Sequence, residues 1–111
     1  IMGPQADIHA VALLPEEGPD DFTAKFLDTV KDFDDYIVFA DLLGGTPCNV
    51  VSRLILEGKD IDLYAGMNLP MVIEFLNASL TGADVDYPKN AVENIVKVND
   101  ILAGLSDDED E

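Results

Sequence analysis

A short segment in the middle of the chain combines the groups that commonly bind phosphate. Asp41 follows a short apolar run rich in β-branched and aromatic residues, which is typical of a buried strand. The turn Gly44-Gly45-Thr46-Pro47 comes next, and apolar residues then recur at helical spacing. Glycines let the backbone turn sharply, threonine is a good N-cap, and proline suits the first helical position. A strand that leads through glycines into a helix start is typical of an anion site, usually for phosphate.

The same segment also fits a purely structural interpretation. Strand-to-helix connections often carry aspartate and threonine residues that only cap backbone groups, and residue types alone do not separate the two cases. Asn68, which follows the next apolar run, likewise either shapes a site or caps its own helix. Both interpretations therefore stay open for Asp41, Thr46 and Asn68.

Other reactive residue types lie nearby without forming a catalytic pattern. The spacing between Cys48 and Arg53 is one residue shorter than the loop of small tyrosine phosphatases needs, so Cys48 is predicted to pack in the interior. Arg53 lies on the helix that starts at this segment and is expected to face solvent, as most such arginines do, or to meet an acidic group or a partner. The chain has no nucleotide-binding glycine motif and no cluster of Cys and His ligands, which predicts neither an organic cofactor nor a metal.

The order of the elements predicts the fold class. Three apolar runs have the composition of short strands: Ile8–Leu14, Tyr36–Ala40 and Ile61–Ala65. Helical patterns alternate with them, so we expect an α/β domain with a mostly parallel sheet and helices on both faces. Val98–Leu102 either extends the last helix or forms a short antiparallel edge strand. Ligands of such sheets bind at the carboxyl ends of the strands, so Asp41 and Asn68 are expected at one shallow pocket.

Helical periodicity predicts four helices between and after these strands. They are expected to start after Gly18, at Pro47, after Gly66–Pro70 and at Pro88. In the last helix, which should extend to about Lys97, Val92, Ile95 and Val96 are expected to face inward.

Composition limits the classes of partner. A chain of 111 residues with 48% hydrophobic content is enough for one domain with a core, and no apolar run is long enough to cross a membrane. The net charge of −17 argues against nucleic acid and anionic membranes and favours basic protein surfaces. Cys48 is the single cysteine, which fits a reducing cytoplasm. Residues 106–111, almost all acidic, are predicted to form a disordered tail.

Two blocks of sequence resemble a specific family. The first is Asp41–Pro47 with Asn49 and Arg53, and the second is Ala65–Met71. Together they resemble the IIA component of the mannose family of the bacterial phosphoenolpyruvate-dependent sugar phosphotransferase system. The resemblance covers nearly all of residues 1–105. It implies a cytoplasmic phosphohistidine carrier, generally a homodimer, that takes a phosphoryl group from HPr and passes it to a IIB domain without a cofactor.

The resemblance also implies roles for individual residues. Asp41 would hold one imidazole nitrogen of the phosphorylated histidine, which fixes the tautomer and leaves the other nitrogen free to attack. Thr46 and the amides that begin its helix would bind the phosphoryl oxygens, and Gly44 and Gly45 would allow their close approach. Asn68 would help to shape the site.

One departure from the family pattern concerns the nucleophile. The family's histidine follows the first strand, and this chain resembles the family only from the end of the first helix onward. We therefore expect the catalytic histidine upstream of Ile1, and the 111-residue chain to be inactive without it. The one histidine in the chain, His9, is predicted to be a sheet residue. The domain is accordingly interpreted as residues 1–105, without its N-terminal strand and most of its first helix.

Two other functions stay open. One is the IIA-like phosphotransfer subunit of a dihydroxyacetone kinase, which resembles the same fold. The other is an interaction or regulatory module without catalytic activity. The glycine turn at Gly44-Gly45 and the Asn68-Leu69-Pro70 block favour the sugar-transport component.

Overall fold

The computed structural model describes residues 7–109, which form an α/β arrangement of five helices and two strands. The elements in chain order are α1 (Pro19–Val30), β1 (Ile37–Phe39), α2 (Thr46–Leu56), β2 (Asp62–Tyr64), α3 (Leu69–Thr81), α4 (Tyr87–Glu93) and α5 (Val98–Glu109). The chain falls into two compact units, Ile1–Gly66 and Met67–Glu111.

The sheet of the first unit consists of two parallel strands. Ile37 of β1 aligns with Asp62 of β2, and Phe39 aligns with Tyr64. The Ala40 N–H donates to the Tyr64 carbonyl at 2.8 Å, which continues the pairing one residue beyond β1. Parallel neighbours need a crossover, which α2 provides. The strands predicted at Tyr36–Ala40 and Ile61–Ala65 are therefore confirmed.

The core of the first unit lies mainly between α1 and α2, which pack against each other. Phe22 and Phe26 stand four residues apart on α1, so both fall on one face of the helix. On α2, the buried cluster includes Val50, Val51 and Leu54. Both stripes follow the helical spacing in the sequence, and burial of these apolar faces is what stabilises the two helices.

The segment before α1 differs from the prediction. Ile8–Leu14 was expected to be a strand, but within residues 7–109 the sheet contains only β1 and β2. A strand needs a partner backbone, whereas two backbone groups of this segment bind side chains instead: the Leu14 N–H donates to Glu17 and the Ala12 carbonyl accepts from Lys25. Val11 and Leu13 of the segment still pack against the core.

Glu17 and Lys25 form the ion pair that holds this segment to α1. The Lys25 ammonium lies 2.6 Å from Glu17 Oε1 and 2.8 Å from the Ala12 carbonyl. Glu17 Oε1 also accepts the Leu14 N–H at 2.8 Å. The hydrogen bond from Lys25, together with that from Leu14, lowers the pKa of the Glu17 carboxyl, because both favour its ionised form.

The second unit contains the last three helices. α3 packs against α4, and its buried residues are Met71 and Leu76. α4 ends at Glu93, so the helix predicted from Pro88 to about Lys97 is shorter than expected. The predicted inward position of Val92, Ile95 and Val96 is wrong: all three are more than half exposed, and the latter two lie beyond the helix.

α5 is a separate helix, so Val98–Leu102 neither extends α4 nor forms an edge strand. The apolar residues Val98, Ile101, Leu102 and Leu105 recur at helical spacing, and each is at least half exposed. The helix continues to Glu109, which makes the backbone of most of the acidic segment helical, while residues 110 and 111 lie outside the described residues. A boundary between residues 105 and 106 stays a prediction. Among the described helices, none is long and apolar enough to cross a membrane.

Candidate functional site

The connection between β1 and α2 is a tight turn. The Gly45 N–H donates to the Leu42 carbonyl at 3.2 Å, which closes a four-residue turn over residues 42–45. Gly44, the third residue of this turn, has a φ of +89°, a conformation that side chains with a Cβ rarely adopt. A glycine at this position is therefore required by the backbone, and the turn directly follows the carboxyl end of β1.

Gly45, rather than Thr46, is the N-cap of α2. Gly45 has extended backbone angles, and its carbonyl accepts the first helical hydrogen bond, from the Asn49 N–H at 2.9 Å. A Cβ at Gly45 would lie 3.3 Å from the Leu42 carbonyl oxygen, so the turn also needs glycine here for space. Thr46 is the first helical residue, and its predicted role as the N-cap is wrong.

The start of α2 carries unused hydrogen-bond donors. Helical geometry leaves the first N–H groups without partners in the helix. Here the Gly45 N–H is used by the turn and Pro47 has no N–H, which leaves the amides of Thr46 and Cys48 without a partner among residues 7–109. The Thr46 hydroxyl makes no hydrogen bond within residues 7–109. Two amides and a hydroxyl at one helix start can bind the oxygens of an anion.

Asp41 lies at the edge of this turn with an uncommitted carboxylate. Its side chain is exposed and has neither a hydrogen bond nor an ion pair with any residue of the described part of the chain. The structural alternative, in which Asp41 caps a backbone group, therefore has no support in the described contacts. A free carboxylate at the carboxyl end of a strand can accept a hydrogen bond from the N–H of a nearby imidazole.

Asn49 is a residue of this site that the sequence analysis named only as part of a motif. Its side-chain Nδ2 donates to the Gly44 carbonyl at 3.1 Å, while its backbone N–H donates to the Gly45 carbonyl. Asn49 thus holds both glycines of the turn. The only signal for this in the sequence is an amide side chain one helical turn after the glycine pair.

The other reactive residues of α2, Cys48 and Arg53, are engaged in packing and in contacts between helices. Cys48 is a buried free thiol, which confirms the prediction that it packs in the interior. The Arg53 guanidinium donates to the Thr23 hydroxyl on α1 at 3.1 Å and lies 3.9 Å from the Glu57 carboxylate. Arg53 is half exposed and connects the two helices of the core.

Asn68 belongs to the second unit and caps α3. Its Oδ1 accepts the Met71 N–H at 3.2 Å, and its Nδ2 lies 3.5 Å from the Ala91 carbonyl of α4. The capping interpretation of Asn68 is therefore confirmed. A shared pocket that contains Asn68 and Asp41 stays a prediction.

His9 lies outside regular structure. Its exposed ring stacks against Phe33, with ring centroids 4.8 Å apart and planes tilted by 44°. The prediction that His9 is a sheet residue is wrong, for the same reason that Ile8–Leu14 is not a strand. Residues 7–109 contain no group of three or more His, Cys, Asp and Glu side chains arranged to hold a metal ion.

Comparison with known proteins identifies the family of this chain. The family model described as "PTS system fructose IIA component" matches residues 1–96. The sorbose-specific EIIA component of Lacticaseibacillus casei is 33% identical over 76 residues, which cover 67% of this chain and 55% of that protein. The fructose-specific EIIA component of Bacillus subtilis (strain 168) is 31% identical over 80 residues, or 69% of this chain and 55% of the relative.

A mannose-specific relative shows a similar identity over a smaller share of its length. The mannose-specific EIIAB component of Escherichia coli (strain K12) is 29% identical over 84 residues, which cover 70% of this chain and 25% of that protein. The chain thus spans about half the length of the sorbose and fructose relatives. With the family match over residues 1–96, the chain belongs to the mannose-family IIA components of the sugar phosphotransferase system.

Proposed function

We propose that this protein is a phosphohistidine carrier that relays a phosphoryl group from HPr to a IIB component during sugar uptake. The observation that carries the proposal is the β1–α2 turn, where the unused donors of Thr46 and Cys48 lie at a helix start that closely follows the uncommitted Asp41 carboxylate. Membership of the IIA family, whose sorbose- and fructose-specific members the chain is similar to, supports the same chemistry.

The transfer is a displacement at phosphorus. One imidazole nitrogen of the carrier's histidine attacks the phosphorus on phosphorylated HPr, and the bond between that phosphorus and HPr breaks as the new N–P bond forms. The Asp41 carboxylate accepts the N–H of the other ring nitrogen, which selects the reactive tautomer and stabilises the positive charge that develops on the ring. Attack by the IIB component then releases the histidine with the N–H unchanged.

The turn would stabilise the group in transit. The phosphoryl oxygens carry charge in the transition state, and fixed N–H and O–H donors lower its energy most when they need no rearrangement. In the proposal, the amides of Thr46 and Cys48 and the Thr46 hydroxyl supply these donors. Gly44 and Gly45 have no side chains that would block the oxygens.

The proposal takes the nucleophile from a histidine outside residues 1–111. His9 is the only histidine in the chain. Its ring contacts that of Phe33 at a tilted angle and lies in an irregular segment, not at the end of a strand. In α/β sheets the reactive groups are found at the carboxyl ends of strands. Asp41 meets this condition and His9 does not.

Exposed apolar side chains on the turn support the proposal that the protein docks with other proteins. Leu42 and Leu43 are 64% and 80% exposed on the turn itself, where a docked carrier protein would cover them. The net charge of −17 favours a partner with a basic surface.

We also propose a homodimer, because Val98, Ile101, Leu102 and Leu105 give α5 an exposed apolar stripe that a second copy would cover. The molar mass of the protein in solution tests this part.

The central test replaces Asp41 by Asn in the full-length protein. Transfer from phosphorylated HPr should slow by on the order of a hundredfold. The neutral Asn side chain carries no negative charge to stabilise the imidazolium, and its NH2 group cannot accept the imidazole N–H. Asp35→Asn is the matched control: it makes the same change of charge at the opposite end of β1, and its transfer rate should equal that of the wild type.

Each outcome of this experiment separates the proposal from its rivals. Equal transfer rates in Asp41→Asn and wild type would remove Asp41 from the mechanism. A wild-type protein that takes no acid-labile phosphate would instead be an interaction or regulatory module. Phosphate that is drained by a dihydroxyacetone-binding subunit, and not by a IIB component, would indicate the kinase subunit.

A further inference from the structure

The peptide between Gly44 and Gly45 is held at both ends. Its carbonyl accepts from Asn49 Nδ2 at 3.1 Å, and its N–H donates to the Leu42 carbonyl at 3.2 Å. Because a peptide unit is planar, these two hydrogen bonds together fix the rotation of the whole unit. The first bond comes from a side chain, so a substitution can remove it without changing the backbone sequence of the turn.

The next peptide along the chain is held by the same residue. The Gly45 carbonyl accepts the Asn49 backbone N–H at 2.9 Å. In a trans peptide the N–H points away from the carbonyl, so the bond to Gly45 also sets the direction of the Thr46 N–H. Asn49 therefore acts on two successive peptides, and the second of them ends in a proposed phosphoryl donor.

Glycine pairs need such a restraint. Both glycines lack a Cβ, so rotation of the peptide between them meets little steric resistance, and Gly44 already has a positive φ. Rotation would break the Gly45 bond to Leu42 and would turn the partial negative charge of the Gly44 carbonyl away from Asn49. Without the side-chain bond, the turn would spend more of its time in conformations that do not match an anion.

We propose that Asn49 is a positioning residue for phosphoryl transfer. Its side-chain amide keeps the Gly44–Gly45 turn in the conformation that presents the Thr46 amide and hydroxyl to the phosphoryl group. This inference rests on the proposed carrier function. Asn49 itself is exposed and lies outside the core, so it acts through the turn and not through packing.

The test is Asn49→Ala in the full-length protein, with Asn77→Ala as the control. Asn77 is also an exposed asparagine on a helix, and its side chain makes no hydrogen bond to the described residues. Alanine is the better helix former, so neither variant should lower the melting temperature through its helix. The rate constant for transfer at saturating phosphorylated HPr should fall on the order of fivefold in Asn49→Ala, the effect of one hydrogen bond, and stay unchanged in Asn77→Ala.

Two readouts separate positioning from a merely structural role. The loss should fall mainly on the rate constant and much less on the KM for phosphorylated HPr, because the bond that is removed orients donors for the group in transit. Exchange of the Gly45 amide hydrogen should accelerate in Asn49→Ala, while that of the Ala40 amide, bonded to Tyr64, should not. A fall in melting temperature that parallels the loss of transfer would mean that Asn49 is only structural, and that would overturn the proposal.

The remaining outcomes also decide the question. If the wild type carries phosphate and Asn49→Ala carries it equally fast, Asn49 does not position the site. If the wild type carries none, the carrier function fails, and the catalytic part of this inference fails with it. The amide exchange of Gly45 then still reports whether the Asn49 side chain restrains the turn, so the two failures are distinguishable.

Discussion

Gly44→Ala isolates the conformational demand of the turn. A Cβ at Gly44 would meet no atom within 4 Å, so the substitution creates no clash, and its effect comes from the φ of +89° alone. An L-residue in the left-handed region costs about 1–2 kcal/mol. Alanine also restricts the unfolded chain, which offsets about 0.4–1 kcal/mol. The free energy of unfolding should therefore fall by about 0.8 kcal/mol, the difference between the middles of these two ranges.

Gly104→Ala is the matched control for this measurement. A Cβ at Gly104 also meets nothing within 4 Å, but its φ is not positive and it lies inside α5. Alanine in a helix interior is favoured over glycine, so this variant should gain about 0.5–1 kcal/mol. The same chemical change is thus expected to have opposite signs at the two positions.

Urea denaturation followed by circular dichroism measures both variants. A lower midpoint with an unchanged slope in Gly44→Ala reports a change in stability rather than in the exposed surface. Equal midpoints for Gly44→Ala and wild type would refute the reasoning, since they would mean that the turn accepts a side chain without strain. Loss of phosphoryl transfer beyond the change in stability would indicate that the turn conformation matters for the chemistry as well.

Two further predictions concern stability. The Glu17 carboxyl has a lowered pKa in the folded state because of Lys25, so its stabilising effect is present above the unfolded-state pKa and is lost as the pH falls through the lower folded value. The difference in unfolding free energy between wild type and Glu17→Gln, measured by urea titrations across the acid range, should therefore shrink as the pH falls, and a constant difference would contradict the ion pair's role. Phe26→Ala should lower the free energy of unfolding by about 3–5 kcal/mol, because it leaves a cavity at a buried position. Leu56→Ala, at a position 87% exposed, should change it by no more than about 0.5 kcal/mol. Similar melting temperatures for the two variants would contradict the core described above.

The central part of the fold could be predicted because its signals are local. The β1–α2–β2 unit combines short β-branched runs, a glycine turn and a helical stripe, and each of these depends on neighbours in sequence. The lack of a strand at Ile8–Leu14 within residues 7–109 could not be predicted in this way, because a strand forms only with a partner strand that lies elsewhere in the chain. The end of α4 at Glu93 was missed for a related reason: the helical spacing continues through Val96, but the backbone does not.

The candidate site shows the same division. Asp41, the glycine pair and the helix start were visible as residue types in order. The N-cap was placed one residue too late, because Gly45 has the extended backbone angles of a cap while Thr46 is the better cap by residue type. The hydrogen bond from the Asn49 side chain to the Gly44 carbonyl depends on the three-dimensional path of the turn relative to α2, and residue spacing does not specify that path.

The attachment of the turn to α2 has a consequence for the direction of transfer. The helix whose first amides would bind the phosphoryl group in the proposed mechanism buries Val50 and Val51 in the core immediately afterwards, so these amides are fixed when the domain folds. Binding then requires no ordering of the loop, and the entropy cost of arranging the donors falls on neither the loading nor the unloading step. If the proposed carrier function holds, these preformed donors would bind the phosphoryl group in the same way with either partner docked. The net direction of transfer would then depend on the phosphorylation states of the two partners and not on a rearrangement of the turn.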